Sequence, residues 1–461
     1  FTYLTIAGGM ICRYMQTETN DDRTTCRNHP DTQSQHRYQD LNEIAKKDRP
    51  DLAWEQNYLQ TMDPVQLRPT PERLAVAREQ IKSYFEQKRS SRTGTADYPW
   101  VERGPTNVGG RTRAIMWDPN DTNGQKFWAG GVTGGLWYTS NIYSADETWT
   151  NVDDFWANIS ITSITYDPTN TQTFYVGTGE GWGAGASRGA GIWKSTNGGE
   201  NWEQLSASDN FYYVNDLIVR NENGSGVLYV AVRGNYYQGQ WHGVGEDGLF
   251  RSTDGGNSFT QVMPLESSSN SPYGVADIEL DGNNNVWIGT QSNPYGNGGG
   301  QIWSSTDGTS WTLSTQRSGN RVELATAPSN GNVIYGLIEE GGELGELIKS
   351  TDGGSSWSNL TEPSDADGGI PSTDFTRGQA WYDLIAIVSP TDENLIFVGG
   401  IDLFRSDNGG SSWEQVSHWY GGFGFPYVHA DHHSLAFKPG SASAVVFVMA
   451  VCVFVSTSAN V

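Results

Sequence analysis

One short turn motif recurs through most of this chain, and a regular internal repeat limits the possible folds more than any overall composition can. Five copies are clear: STNGGENW from Ser195, STDGGNSF from Ser252, STDGTSW from Ser305, STDGGSSW from Ser350 and SDNGGSSW from Ser406. A degenerate sixth, TSNIYSADETW, ends at Trp149, and the closing aromatics at 149, 202, 259, 311, 357 and 413 stand 46 to 57 residues apart. Each interval repeats one order of short apolar strands, such as TFYVGTG at 173–179 followed by GIWKS at 191–195. Four antiparallel strands per unit, repeated radially, predict an all-β, seven-bladed β-propeller.

The motif has a structural explanation. Asp254, Asp307 and Asp352 are placed to accept hydrogen bonds from amides of their own turn, and a neutral side-chain oxygen does the same at Asn197 and Asn408. The paired glycines permit positive φ, and the aromatic fills the space between neighbouring blades. These five acceptors are therefore assigned to hairpins, not to catalysis.

Six units end near Ser417, and a seventh opens at Tyr427 and stops inside its own motif at Ser456. Its last strand is missing. Residues 98–104, YPWVERG, resemble the closing strands NWEQL and SWEQV, so the N-terminal strand is predicted to complete blade seven within a propeller spanning 98–461. Such closure removes an open sheet edge. Met449 to Cys452 stand where other blades carry a glycine-rich turn, which sets the extreme C-terminus apart.

Ahead of the propeller, residues 1–36 read as a signal remnant and loose arm. FTYLTIAGGMIC resembles the apolar end of an export signal and equally a short buried segment, and it is too short to cross a bilayer. Residues 37–97 read as a helical segment and linker: one helix through 38–60 broken near Pro50, a second opening at Thr70-Pro71 and running to about Lys88, then SSRTGTAD. Cys12, Cys26 and Cys452 are an odd, scattered set, so no disulfide framework holds the fold. Cys12 and Cys26 remain either a pair or free thiols.

A net charge of -24 and a pI near 4.6 argue against nucleic acid or anionic lipid as partners and leave neutral sugars, peptides, cations and basic proteins. Together with the export-like start, the acidic surface points to an extracellular address, secreted or on the cell surface.

The five motifs resemble the Asp-box, or bacterial neuraminidase repeat, shared by sialidases, sortilin-type propellers and xyloglucanases. GPTNVGGRTRAI at 104–115, GQAWYDLIAIVSP at 378–390 and VHADHHSLAFKP at 428–439 are similar to the blade openings of secreted, sortilin-like propellers of the Bacteroidetes type. Many of these are called glycosyl hydrolases, and proteins of this style often continue into further C-terminal modules. The resemblance implies a fold more strongly than an activity. A sialidase would need an arginine triad and a tyrosine nucleophile, for which Arg111, Arg113, Arg321, Arg377 and Tyr382 are available, but its early arginine motif is missing.

Innermost strands line the axis of a propeller, so their polar residues are the candidates for chemistry: Arg111 and Arg113, Thr162, Asp216, Asp277, Glu323 and Asp383. The four acids are candidate catalytic carboxylates, since a glycosidase flanks its scissile bond with two. Their other expected role is closure of the ring by bonding to Arg111 and Arg113. His429, Asp431 and His433 alternate along an expected strand, with His432 pointing away, and suit either hydrogen bonds at the channel mouth or a divalent metal. A straight strand spreads the two histidines by about 13 Å, too far to share an ion. No other cofactor is expected. Long inserts carry Trp182, Tyr236, Tyr237, Trp241, Tyr295, Trp419 and Tyr420, whose rings can stack on sugars or grip peptide side chains, with Arg111 and Arg113 as further ligand contacts.

Two functions follow. The first is a secreted or cell-surface binding propeller that engages polysaccharide or peptide through its loop face. The alternative is a glycoside hydrolase acting on a polysaccharide with its inner-strand carboxylates.

Overall fold

In each unit the second strand is apolar on both faces, unlike the alternating strand of a half-buried sheet, so it must lie between two layers. In the computed structural model Phe174 and Val176 pack toward blade one while Tyr175, between them, packs toward blade three. The structure describes residues 50–63, several positions between 65 and 84, and 111–456 except 145–147, 154–155, 157, 159, 183–185, 238–239, 243–246, 369–373, 443 and 450–452.

Seven antiparallel sheets follow one another at 112–151, 161–204, 214–261, 274–316, 322–359, 385–415 and 432–456. The first six have four strands each in a simple meander, and the seventh shows three among the described residues. The proposed closing strand at 98–104, the N-terminal arm and all three cysteines lie outside the described residues.

Seven apolar clusters each bridge one pair of neighbouring blades. One of them joins Trp117 and Phe127 of blade one to Val446 and Val448 of blade seven, and the Trp117 indole donates to the Ala436 carbonyl at 3.4 Å. The sheets therefore form a closed seven-bladed ring.

The recurring turns are tied more tightly than the acidic residue alone suggests. In the turn from Ser350, the serine hydroxyl donates to Asp352 Oδ1 at 2.9 Å and accepts from the Gly354 amide at 2.8 Å. Asp352 Oδ1 in turn accepts from the Ser356 amide at 2.9 Å. The same set recurs with Asn408 in place of aspartate, so the hairpin needs an oxygen and not a charge. At the second glycine the turn also meets the preceding blade: Gly199 has φ +86°, and a Cβ there would lie 2.4 Å from the Trp128 ring. Glycine is required twice over, by conformation and by contact.

Residues 1–98 form a separate compact unit. Its described part contains the helix Pro50–Thr61, followed by a two-residue pairing of Met62–Asp63 with Arg68–Pro69. Positions 73, 77, 80, 81, 83 and 84 along the second expected segment are helical, although Ile81, expected on a packing face, is half exposed. Among the described residues no helix is long and apolar enough to cross a membrane.

Candidate functional site

A four-stranded meander sends the start of its inner strand, its second turn and its exit to one face of the ring, and its first and third turns to the other. The serine-aspartate turns therefore occupy one face. The long inserts gather on the opposite one, here called the loop face, around the mouth of the axis.

At that mouth five inner strands share a device. The pairing slips by one residue at Thr112/Ala114, Ile161/Ser163, Val214/Asp216, Val275/Asp277 and His432/Ser434. Each bulge frees one residue, respectively Arg113, Thr162, Asn215, Ala276 and His433, from the ladder. Thr162 and Asn215 use that freedom to donate to the next blade's carbonyls, at Val214 (2.7 Å) and Val275 (2.8 Å).

Arg113 enters an aromatic and cationic plug. Its guanidinium lies 3.6 Å from Glu180, 3.4 Å from His433 Nδ1 and 4.9 Å from the centre of the Tyr382 ring. Arg111 donates to the Tyr382 hydroxyl at 2.6 Å and to Glu180 at 3.3 Å. Trp182 lies under three guanidinium groups, those of Arg321 at 4.5 Å, Arg233 at 5.4 Å and Arg113 at 5.6 Å. This corrects the expectation of an open stacking ring: Trp182 is only 7% exposed, because its face is already used by cations.

Below the plug, channel-facing acids clamp the ring. Asp216 accepts from Ser163 Oγ and the Leu217 amide, both at 2.8 Å, and from the Ile278 amide of the next blade at 3.2 Å. Asp277 accepts from the Leu324 amide of the blade after that at 2.7 Å. Ring closure is thus their role, but through backbone amides and not through Arg111 and Arg113, which pair with Glu180 instead. Glu323 pairs with Arg321 at 2.6 Å.

Burial first, then the neighbouring carboxylates, pushes Asp277 well above the usual carboxylate range and Glu279 up to about 8. Burial likewise raises Asp216 to about 6, against the hydrogen bonds from Ser163, Leu217 and Ile278, and it raises Glu323 against the pull of Arg321. Glu279 escaped the sequence reading, although it follows Asp277 by two residues on one strand and so shares its face. It lines a cavity of about 320 Å³ with Thr326, Ile387, Leu435 and Lys438 at the far end of the channel.

Asp383 departs from expectation. It ends the short helix Ala380–Asp383 instead of lying on the inner strand Ile385–Ser389, and it is fully buried. The histidine motif also departs, because the strand begins only at His432 and Asp431 takes φ +64°. His432 does not point to solvent: it and His433 are both buried, and His429 Nδ1 lies 3.0 Å from the Ala430 carbonyl. Of the arginines weighed for a sialidase, Arg111, Arg113 and Arg321 converge near Tyr382, each already beside a carboxylate, while Arg377 lies with Asp365, Asp367 and Asp402.

Two of the other inserts expose aromatic rings. Tyr295 is 62% exposed, and Trp419, Tyr420, Phe423 and Tyr427 are exposed together on the insert between blades six and seven. Tyr236 and Trp241 face each other in the register of a small hairpin, Asn235–Tyr237 with Gln240–His242. The positions of the Tyr236, Tyr237 and Trp241 side chains lie outside the described residues.

No family model matches the chain. In sequence it is 28% identical over 226 residues to a xyloglucanase of Acetivibrio thermocellus, a match covering 43% of this chain and 25% of that enzyme. A xyloglucanase of Paenibacillus sp is 27% identical over 229 residues, covering 43% and 20%. Among solved structures, the GH74 xyloglucanase of Xanthomonas campestris superposes with a TM-score of 0.52 at 18% identity, over 77% of this chain and 53% of that one. YCF48 from Cyanidioschyzon merolae gives 0.50 at 15% identity, over 77% and 98%. The chain has the propeller fold of these proteins. It matches a quarter or less of the length of the two xyloglucanases it resembles in sequence.

Proposed function

We propose that this propeller acts on a neutral polysaccharide as part of a glycoside hydrolase. The observation that carries the reading is the likeness to xyloglucanases over 43% of the chain. Two features of the geometry support it. Exposed rings at Tyr295, Trp419, Tyr420, Phe423 and Tyr427 give the loop face a surface on which flat sugar faces stack. At the other end of the channel Glu279, raised to about 8 by burial and by neighbouring carboxylates, is protonated at neutral pH and fits a general acid. The reading places the protein outside the cell, secreted or on its surface.

Binding without turnover is the second reading, with polysaccharide or peptide as ligand. One observation favours it, since Asp216 and Asp277 already hold the amides of adjacent blades.

Reducing-end release from xyloglucan and from mixed-linkage β-glucan, measured beside retardation in glucan-containing gels, separates the two. The hydrolase reading expects release by the wild type, a loss of roughly 100-fold or more in Glu279→Gln, and unchanged retardation of that variant. Trp419→Ala and Tyr420→Ala should migrate more freely. Retardation without release would leave only the binding reading, and the loss of both signals in the wild type would remove polysaccharide altogether.

A further inference from the structure

Beside blade six, away from the axis, three buried side chains converge. Asp365 comes from the connection between blades five and six, Asp402 from the turn between the strands Asp392–Gly399 and Leu403–Ser406, and His418 from the start of the connection to blade seven. Their candidate ligand atoms all lie within 4.8 Å of one another. The side chains of Asp365 and Asp402 and the whole of His418 have no solvent exposure. Oδ2 of Asp365 and Nε2 of His418 are buried without a hydrogen-bond partner of good geometry, and so are both oxygens of Asp402, which have the Asp365 carboxyl and the Trp419 amide close by. Buried polar atoms left unpaired are costly, and a protein keeps them where something else binds them.

A guanidinium also lies at the edge of the cluster. Arg377 is the cation beside the cluster, 3.9 Å from Asp365, 3.6 Å from Asp367 and 3.9 Å from Asp402.

We propose that Asp365, Asp402 and His418 bind a divalent transition-metal ion of the zinc class. One imidazole and two carboxylates are a donor set that suits zinc, and three protein ligands leave a fourth position for water. Bonds of about 2.1 Å in tetrahedral array set donors about 3.4 Å apart, so the most widely separated side chains need to close by up to roughly 1.4 Å. Loading at Nε2 moves the imidazole proton to Nδ1 and gives up a long contact from the Gly422 amide, now 3.4 Å away. The ion would fasten three loop-face segments to one another, including the insert that carries Trp419 and Tyr420. The inference stands apart from the polysaccharide reading and survives its failure.

Full-length protein stripped with EDTA and then freed of chelator should bind one Zn²⁺ per chain by calorimetry, with micromolar or tighter affinity, and melt at a higher temperature with the ion present. Cobalt in its place should give the visible absorption of a tetrahedral site. Asp402→Asn and His418→Gln should each weaken zinc at least 100-fold, Arg377→Gln should hold it as tightly or more tightly, and His429→Gln should match the wild type. A wild type that takes up no zinc and shows no tetrahedral cobalt spectrum overturns the proposal without any variant. So does zinc binding that survives Asp402→Asn and His418→Gln, or that is lost in His429→Gln.

Discussion

The repeated turn works through a serine as much as through its acid. Ser195, Ser252, Ser305, Ser350 and Ser406 are each at most 3% exposed, and each hydroxyl bridges the side chain two residues on to a glycine amide. The aspartates then add what asparagine cannot, a dependence on pH. Hydrogen bonds from the hydroxyl and amide of Ser258 and from the Ser252 hydroxyl hold Asp254 at about 2. An unfolded aspartate titrates near 3.9. The folded value is the lower one, so the carboxylate's contribution is complete above about pH 4 and drains away as pH falls toward 2. Thermal melts of wild type and Asp254→Asn should therefore differ at pH 6 and converge near pH 2. A gap that persists in acid would mean that the charge is not its source.

At the scale of elements, the bulges decide what the axis contains. An inner strand in unbroken register would turn alternate residues to the channel; the extra residue instead delivers Arg113 and His433 to the plug. The plug depends on a buried acid supplied by a second-turn loop: Glu180 has no exposed side-chain surface and faces both Arg111 and Arg113. Replacing it by glutamine leaves the buried Arg113 without its countercharge, and breaking such a pair typically costs about 3–5 kcal/mol. Urea unfolding of Glu180→Gln should show a midpoint well below that of the wild type, with an unchanged slope. An unshifted midpoint would mean that Arg113 is neutralised by another group. Sequence reasoning named Arg111, Arg113 and Tyr382 and assigned Trp182 to solvent. Nothing local to GEGWGAG shows that three arginines from blades one, three and five will cover its indole.

Over the whole molecule, stability resides between blades and not within them. Each apolar cluster needs two neighbouring sheets, so the contact of blade seven with blade one is required to close the last of the seven. The strand proposed at 98–104 would pair with Val453–Ser456 and complete the last sheet. A chain starting at residue 105 should then melt several degrees below one starting at 97, since a 1 kcal/mol loss moves the melting point of a large domain by about 2–4 °C. Equal melting points would show that the ring closes through side-chain packing alone.

The repeat by itself determined the architecture: a turn returning every 46 to 57 residues, with doubly apolar strands between, has few ways to bury both faces except against copies of itself. It also pointed to Arg113, Asp216, Asp277 and Glu323 near the axis, because strand alternation is local, but not to Glu279, and the bulges and the short helix ending at Asp383 lay beyond its reach. Contacts between blades were decided only by the tertiary structure. Asp365, Asp402 and His418 are separated by 37 and 16 residues, and no periodicity links them. Closing a ring brings together Arg113, Glu180, Arg233 and Arg321, whose spacing in sequence carries no trace of that meeting, and the packing of loops around blade six does the same for the candidate metal site.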